Sequence, residues 1–243
     1  MRQVIIIPAR MSGTRLPGKP LIKILDKPMI QHVWERCCEA INKEDIYIAT
    51  EDKVIEEFCE KHHINCVNTG PANSAIDRLK LASDVIKADT YLNIQGDEPI
   101  ANVQDIKTIL EYNKKHPSRI VFGKTSATEE EFYDYSKAKV VCDLSGKLLY
   151  SSRAGIPLSN KGKFKGAERA IWLYAFNKEA LDTYYINFKN SKLEKIEDNE
   201  IIRFLEVGLP VYCTDLIGDS WAVDEEKDVA VVEELLKKRG YNV

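Results

Sequence analysis

The sequence predicts an α/β fold: a central sheet, mostly parallel and turning mixed in its second half, flanked by helices. Three observations predict it. Short runs rich in Val and Ile recur along the 243 residues, of the kind that buried parallel strands require. Segments with apolar residues at helical spacing separate them, and strand, helix, strand at this rhythm gives right-handed parallel connections. Two of the strands run straight into polar, glycine-containing loops, where open α/β sheets bind ligands.

The first strand is Val4-Ile5-Ile6-Ile7, ended by Pro8 and the Ser and Gly that follow. Pro28-Met29-Ile30 opens a helix to about Ala40, with Ile30, Val33, Trp34 and Cys37 on one face. Ile46 to Thr50 reads as a second buried strand, Lys53 to His62 as a helix, and Asn65-Cys66-Val67 as a short third strand. A helix from about Ile76 to Lys87 leads to the strand Thr90 to Ile94, which ends at Gln95-Gly96-Asp97-Glu98-Pro99. Ile120 to Lys124 and Lys139 to Asp143 are β-like, with Leu144-Ser145-Gly146-Lys147 as a hairpin turn. Arg169 to Phe176 is a further strand, and Leu193 to Glu206 a helix burying Ile196, Ile201, Phe204 and Leu205. Pro210 to Thr214 is a late strand, and Glu225 to Arg239 a terminal helix for which Asp224 is a suitable N-cap.

A chain of this length with 44% hydrophobic residues can bury a substantial core in one domain. The alternative division sets aside a small β lobe for substrate or dimer contacts at about 120–190. The net charge of −3 argues against a general nucleic-acid binder. No apolar run reaches a membrane-spanning length, and the N-terminus enters a strand instead of a signal-type segment, so a cytoplasmic protein without membrane insertion is expected. Six cysteines at positions 37, 38, 59, 66, 142 and 213 form no C-x-x-C pair or zinc spacing, and read as core thiols. His62-His63, near Cys59 and Cys66, is the nearest approach to a metal-like cluster.

The loop after the first strand gathers Arg10, Arg15 and Lys19 with Gly13 and Gly18. Three cations and several free backbone N–H groups suit a nucleoside triphosphate: guanidinium forks grip phosphate oxygens in pairs, and Lys19 is a compact point charge. The spacing fits neither G-x-x-x-x-G-K-[ST] nor G-x-G-x-x-G, which excludes the ordinary ATPase loop and the dinucleotide fingerprint. Asp97, at the end of a buried strand, is a natural Mg²⁺ ligand. Asp224 reads as a helix cap or as the second carboxylate of a metal pair.

Pro8-Ala9-Arg10 followed by Ser12-Gly13-Thr14-Arg15-Leu16-Pro17-Gly18-Lys19-Pro20-Leu21 resembles the opening signature of the sugar-acid cytidylyltransferases, the CMP-Kdo synthetase family (3-deoxy-manno-octulosonate cytidylyltransferases). The likeness runs from residue 4 to about residue 230. It implies a Rossmann-like nucleotidyltransferase (GT-A-like) fold, a homodimer, and Mg²⁺-dependent transfer of CMP from CTP to the anomeric hydroxyl of a sugar acid. The resemblance places Pro8, Ala9, Arg10, Ser12, Gly13, Thr14, Arg15, Lys19, Ser74, Arg78 and Gln95 on the nucleotide. Arg10, Arg15, Lys19 and Asp97 carry the chemistry, and Asp97 and Asp224 hold the metal. Gln95, Arg153, Arg169, Tyr174 and Glu200 face the sugar.

The chain departs from the family at defined positions. Ser-Gly-Thr-Glu-Arg is Ser74-Ala75-Ile76-Asp77-Arg78, Arg-His-x-Gly-Ile-Tyr is Arg169-Ala170-Ile171-Trp172-Leu173-Tyr174, and Glu-Gln-Leu-Arg is Glu200-Ile201-Ile202-Arg203. A His and a Gln expected to meet sugar hydroxyls are therefore Ala170 and Ile201. The acceptor is accordingly left as Kdo, an amino- or deoxy-Kdo, or another 3-deoxy-2-ulosonic acid. Arg153, Lys163, Lys165 and Arg169 also keep a sugar or polyol phosphate acceptor open, and a non-catalytic nucleotide-binding relative is the remaining alternative.

Overall fold

A computed structural model describes residues 1–13 and 15–240. In chain order the elements are β1 (Gln3–Pro8), the small hairpin β2 (Lys23–Ile24) and β3 (Lys27–Pro28), α1 (Met29–Cys38), β4 (Ile46–Thr50), α2 (Lys53–Lys61), β5 (Cys66–Asn68), α3 (Ala75–Val85) and β6 (Thr90–Ile94). Then follow α4 (Val103–Lys115), β7 (Ile120–Ser126), α5 (Glu129–Tyr133), β8 (Lys139–Cys142), β9 (Leu148–Ser152) and β10 (Glu168–Phe176). The chain closes with α6 (Lys178–Ile186), α7 (Leu193–Glu197), α8 (Ile201–Glu206), β11 (Val211–Asp215) and α9 (Glu226–Lys238).

The main sheet has the order β11-β7-β10-β6-β1-β4-β5, with β8 paired to β10 and β9 to β8. β1 lies parallel to both β4 and β6, and β11 parallel to β7, while β10 runs antiparallel between β6 and β7. This is the mixed, mostly parallel sheet that the sequence predicts. The segment 120–190 shares it through β7 and β10.

Alternation along β1 distributes the core to both faces, since successive side chains of a strand point opposite ways. Val4 and Ile6 join Tyr91, Tyr174, Leu79, Tyr184 and Phe204 on one face. Ile5 and Ile7 join Ile30, Val33, Ile106 and Ile109 on the other. A third, smaller cluster, including Ile24, Met29, Val223, Val232 and Leu236, seats α9 beside the β2–β3 hairpin. Cys37, Cys59 and Cys213 are buried, Cys38, Cys66 and Cys142 half-buried, and all six are free thiols.

Three helices, α4, the short α5 and α6, lie where the sequence reading placed none. In α4 the Asn102 side chain caps the backbone N–H groups of Gln104 (2.8 Å) and Asp105 (3.2 Å), and Ile106, Ile109, Leu110 and Asn113 form the buried stripe. In α6 Asn177 caps Ala180 (2.8 Å). The single helix expected from Leu193 to Glu206 is two, because Asp198 takes a left-handed conformation (φ 47°) that breaks it. The break leaves Ile196 78% exposed, contrary to its expected burial. It also brings the Glu197 carboxylate over β9, where the Ser152 hydroxyl (2.9 Å) and the Arg153 N–H (3.0 Å) donate to it.

Candidate active site

From β1 the chain moves to β4 and β5 on one side, and it returns to β6 on the other. The carboxyl ends of β1 and β6 therefore flank a topological switch point, the crevice that open α/β sheets use for ligands. A cavity of about 250 Å³ opens there, lined by Pro8, Ala9, Arg10, Gly13, Arg15, Lys19, Ser74, Arg78, Gln95, Asp97 and Asp224. Gly96 lets the two strand ends approach: a Cβ there would lie 2.6 Å from the Pro8 carbonyl oxygen. Gly18, at φ 73°, turns the loop so that its N–H donates to the Met11 carbonyl (3.0 Å), and Lys19 then starts a single 3₁₀ turn.

The Val223 N–H donates to the Asp97 carbonyl (2.9 Å) and ties the segment before α9 to the end of β6. The two carboxylates consequently face one ammonium: Lys19 Nζ is 2.7 Å from Asp97 Oδ2 and 3.4 Å from Asp224 Oδ1. Arg15 is 3.2 Å from the same Asp224 oxygen. Asp224 is not the cap of α9. Glu225 is, in a capping box with Asp228, whose carboxylate accepts the N–H groups of Asp224 (2.9 Å) and Glu225 (2.8 Å). Relieved of capping, the Asp224 side chain is free to turn toward the cations.

A second cleft of about 640 Å³ adjoins the first and shares Arg10, Arg15, Ser74, Gln95, Asp97 and Asp224 with it. Its far wall carries Arg169 and Trp172 of β10 with Glu194, Asn199, Glu200 and Arg203. The pairing of β10 with β7 shifts register between Ile171 and Tyr174, and a bulge of this kind re-aims side chains beside a site. Arg203 is fully buried, its guanidinium forked onto Glu194 at 2.5 and 2.6 Å and 3.4 Å from Asp77. On the floor, burial, reinforced by the Asp97 charge, pushes the Glu98 carboxyl up to about 7 against a hydrogen bond from Ser220. Burial likewise raises Glu200, whose carboxylate accepts the Ile76 N–H at 3.4 Å.

The cytidylyltransferase family pattern matches residues 4–214. The chain belongs to that family. It is 33% identical to a 3-deoxy-manno-octulosonate cytidylyltransferase of Koribacter versatilis, covering 98% of this chain and 92% of the relative. It is 32% identical to an 8-amino-3,8-dideoxy-manno-octulosonate cytidylyltransferase of Shewanella halifaxensis, covering 96% and 98%. A solved CMP:2-keto-3-deoxy-manno-octonic acid synthetase complexed with CTP superposes with a TM-score of 0.90 at 28% identity, covering 98% of this chain and all of the other. The chain is a CTP-utilising nucleotidyltransferase with the nucleotidyltransferase fold.

Within this cytidylyltransferase most residues expected on the nucleotide side line the first cavity. Ser12 is exposed and does not, and Thr14 lies outside the described residues. Arg78 is 3% exposed and holds Glu51 (3.0 Å), the Thr69 hydroxyl (2.8 Å) and the Gly70 carbonyl (3.2 Å). Gln95, Arg169, Tyr174 and Glu200 line the second cleft. Arg153 does not. Its guanidinium is taken up by the carbonyls of Glu197 (2.9 Å), Asp198 (2.8 Å), Tyr135 (3.3 Å) and Ser136 (3.3 Å), and by the Asp198 carboxylate. Of the two positions where a His and a Gln were expected, Ile201 is buried in the core beside Phe204, whereas Ala170 lines the cleft. Lys137, Glu194 and Ser220 also line the cleft, and no motif in the sequence announces them.

Proposed function

We propose that this cytidylyltransferase transfers CMP from CTP to the anomeric hydroxyl of a 3-deoxy-2-ulosonic acid, Kdo or its 8-amino relative, releasing pyrophosphate with Mg²⁺ as cofactor. The observation that carries the reading is the continuity of the cavity at the switch point with the larger cleft across Gln95, Asp97 and Asp224. A nucleotide on one side and a sugar on the other would meet there. The names and the coverage of the relatives support the acceptor class.

In the reaction the acceptor oxygen forms a bond to the α-phosphorus while the bond from that phosphorus to the β-phosphate oxygen breaks, roughly in line. Arg10 has no carboxylate partner among the described residues and is free for the triphosphate, while Arg15 and Lys19 reach it by leaving Asp224 and Asp97. These cations offset charge on the departing pyrophosphate. The acceptor is oriented by Gln95, Arg169, Tyr174 and Glu200. Asp97 and Asp224 fit a divalent cation, since both already converge on one cationic point, Lys19 Nζ, and Mg²⁺ takes few carboxylates together with phosphate oxygens and water. Such an ion supplies charge neutralisation at the phosphates and acidifies a hydroxyl near it.

The test is pyrophosphate release with CTP and Mg²⁺ against Kdo, 8-amino-Kdo, nonulosonic acids and sugar phosphates. Turnover with one of the two octulosonic acids is expected. Turnover confined to a sugar phosphate, or CTP binding with no turnover on any acceptor, would remove the reading.

A further inference from the structure

Arg153, which the resemblance sets against the sugar, lies outside the cleft and cannot receive the acceptor's carboxylate. In a 2-ulosonic acid the carboxylate is attached to the carbon that bears the attacking hydroxyl, so its partner must stand close to Asp97. Arg10, Arg15, Lys137, Arg169, Lys195 and Arg203 are the cations lining the cleft. Arg10 and Arg15 also line the nucleotide cavity, where the triphosphate needs them. Arg203 is committed to Glu194, and Arg169 to Glu131 (2.8 Å) and the Gly218 carbonyl (2.9 Å). Lys195, on α7, holds its ammonium over the Phe188 ring, 5.7 Å from the ring centre.

Lys137 remains. Its ammonium makes no hydrogen bond or ion pair with any described residue, and its charge acts on the Glu98 carboxyl, next in sequence to Asp97. Although Lys137 is exposed, the loop that carries it is fixed. The Lys139 ammonium, itself buried, donates to the carbonyls of Asp134 (2.8 Å) and Lys137 (2.5 Å). Arg153 donates to the carbonyls of Tyr135 and Ser136, both at 3.3 Å.

We infer that Lys137 binds the carboxylate of the acceptor, and that Arg153 is a positioning residue which holds the 134–137 loop so that Lys137 faces the cleft. The inference rests on the acceptor being an acid of the class proposed above. A charge-assisted hydrogen bond lost from the acceptor side corresponds to roughly a 10–100-fold rise in its KM.

The measurement is steady-state pyrophosphate release with Kdo and with its neutral carboxamide, at saturating CTP, for wild type, Lys137→Gln, Lys137→Arg and Arg153→Gln. Lys137→Gln is expected to raise the KM for Kdo about 10–100-fold, to leave the KM for CTP unchanged and to handle acid and carboxamide alike. Lys137→Arg is expected to restore most of the preference for the acid. Arg153→Gln should raise the KM for Kdo and keep a preference for acid over carboxamide. Wild-type turnover combined with an unchanged acid preference in Lys137→Gln would overturn this inference alone. Absence of both turnover and calorimetric binding of Kdo by the CTP-loaded wild type would overturn the acceptor reading and this inference with it.

Discussion

Asp97→Asn is expected to lower turnover about a hundred- to a thousandfold while leaving the fold intact, since one preorganised electrostatic group at a reacting centre is worth that order of rate. Asparagine keeps the shape of the side chain and removes its charge at the junction of the two cavities. The Lys19–Asp97 pair is about a quarter exposed on each side (21% and 27%), so its loss costs at most about 1 kcal/mol of stability. Pyrophosphate release at saturating CTP and acceptor, read beside a thermal melt, checks both halves. Turnover within tenfold of wild type would mean that Asp97 serves only to hold Lys19.

The second large effect is on stability. Arg203→Met is expected to destabilise the protein by about 3–5 kcal/mol, because it leaves buried carboxylates without their counter-ion. Glu194 loses a two-pronged partner at 2.5 and 2.6 Å, Asp77 loses its ion pair at 3.4 Å, and Tyr184 loses a guanidinium 3.7 Å from its ring centre. For a chain of this size that corresponds to a fall in Tm of roughly 10 °C. Adding Glu194→Gln should recover part of the loss, since the stranded charge goes with it. A fall of less than 2 °C in the single variant would show that the carboxylates find other partners.

The parts of the site legible in the sequence are those that one short segment encodes by itself. Val4 to Ile7 can only be a buried strand, and Arg10, Arg15 and Lys19 follow it at once, so strand and cradle read together. Asp97 was legible for the same reason. The far wall of the second cleft was not, because it is assembled from β10, α7, α8 and the loop before β8, and its geometry depends on a register shift and on Asp198 in a left-handed conformation. Asp224 shows why a local rule can mislead: it stands one residue before Glu225, and only the reach of Asp228 decides which of the two caps α9. The stripe of α4, Ile106, Ile109 and Leu110, has an ordinary helical period with Asn102 as its cap, so this helix is legible in the sequence too.

The ammonium of Lys19, shared between Asp97 and Asp224, has a consequence for the order in which ligands are accepted. The carboxylates carry their own internal counter-ion, so a divalent cation arriving alone must displace a charge already in place. A triphosphate that took up Lys19 would vacate the carboxylates, and nucleotide and cation would then each raise the other's affinity by the same factor. Lys19→Met should uncouple them: Mn²⁺ measured by electron paramagnetic resonance should bind the nucleotide-free variant more tightly than wild type, while CTP binds it more weakly. Equal Mn²⁺ affinity in the two proteins would show that the lysine is a bystander to the metal. The same side chain would otherwise act as a placeholder that keeps the pair of acids from collecting ions until a nucleotide is present.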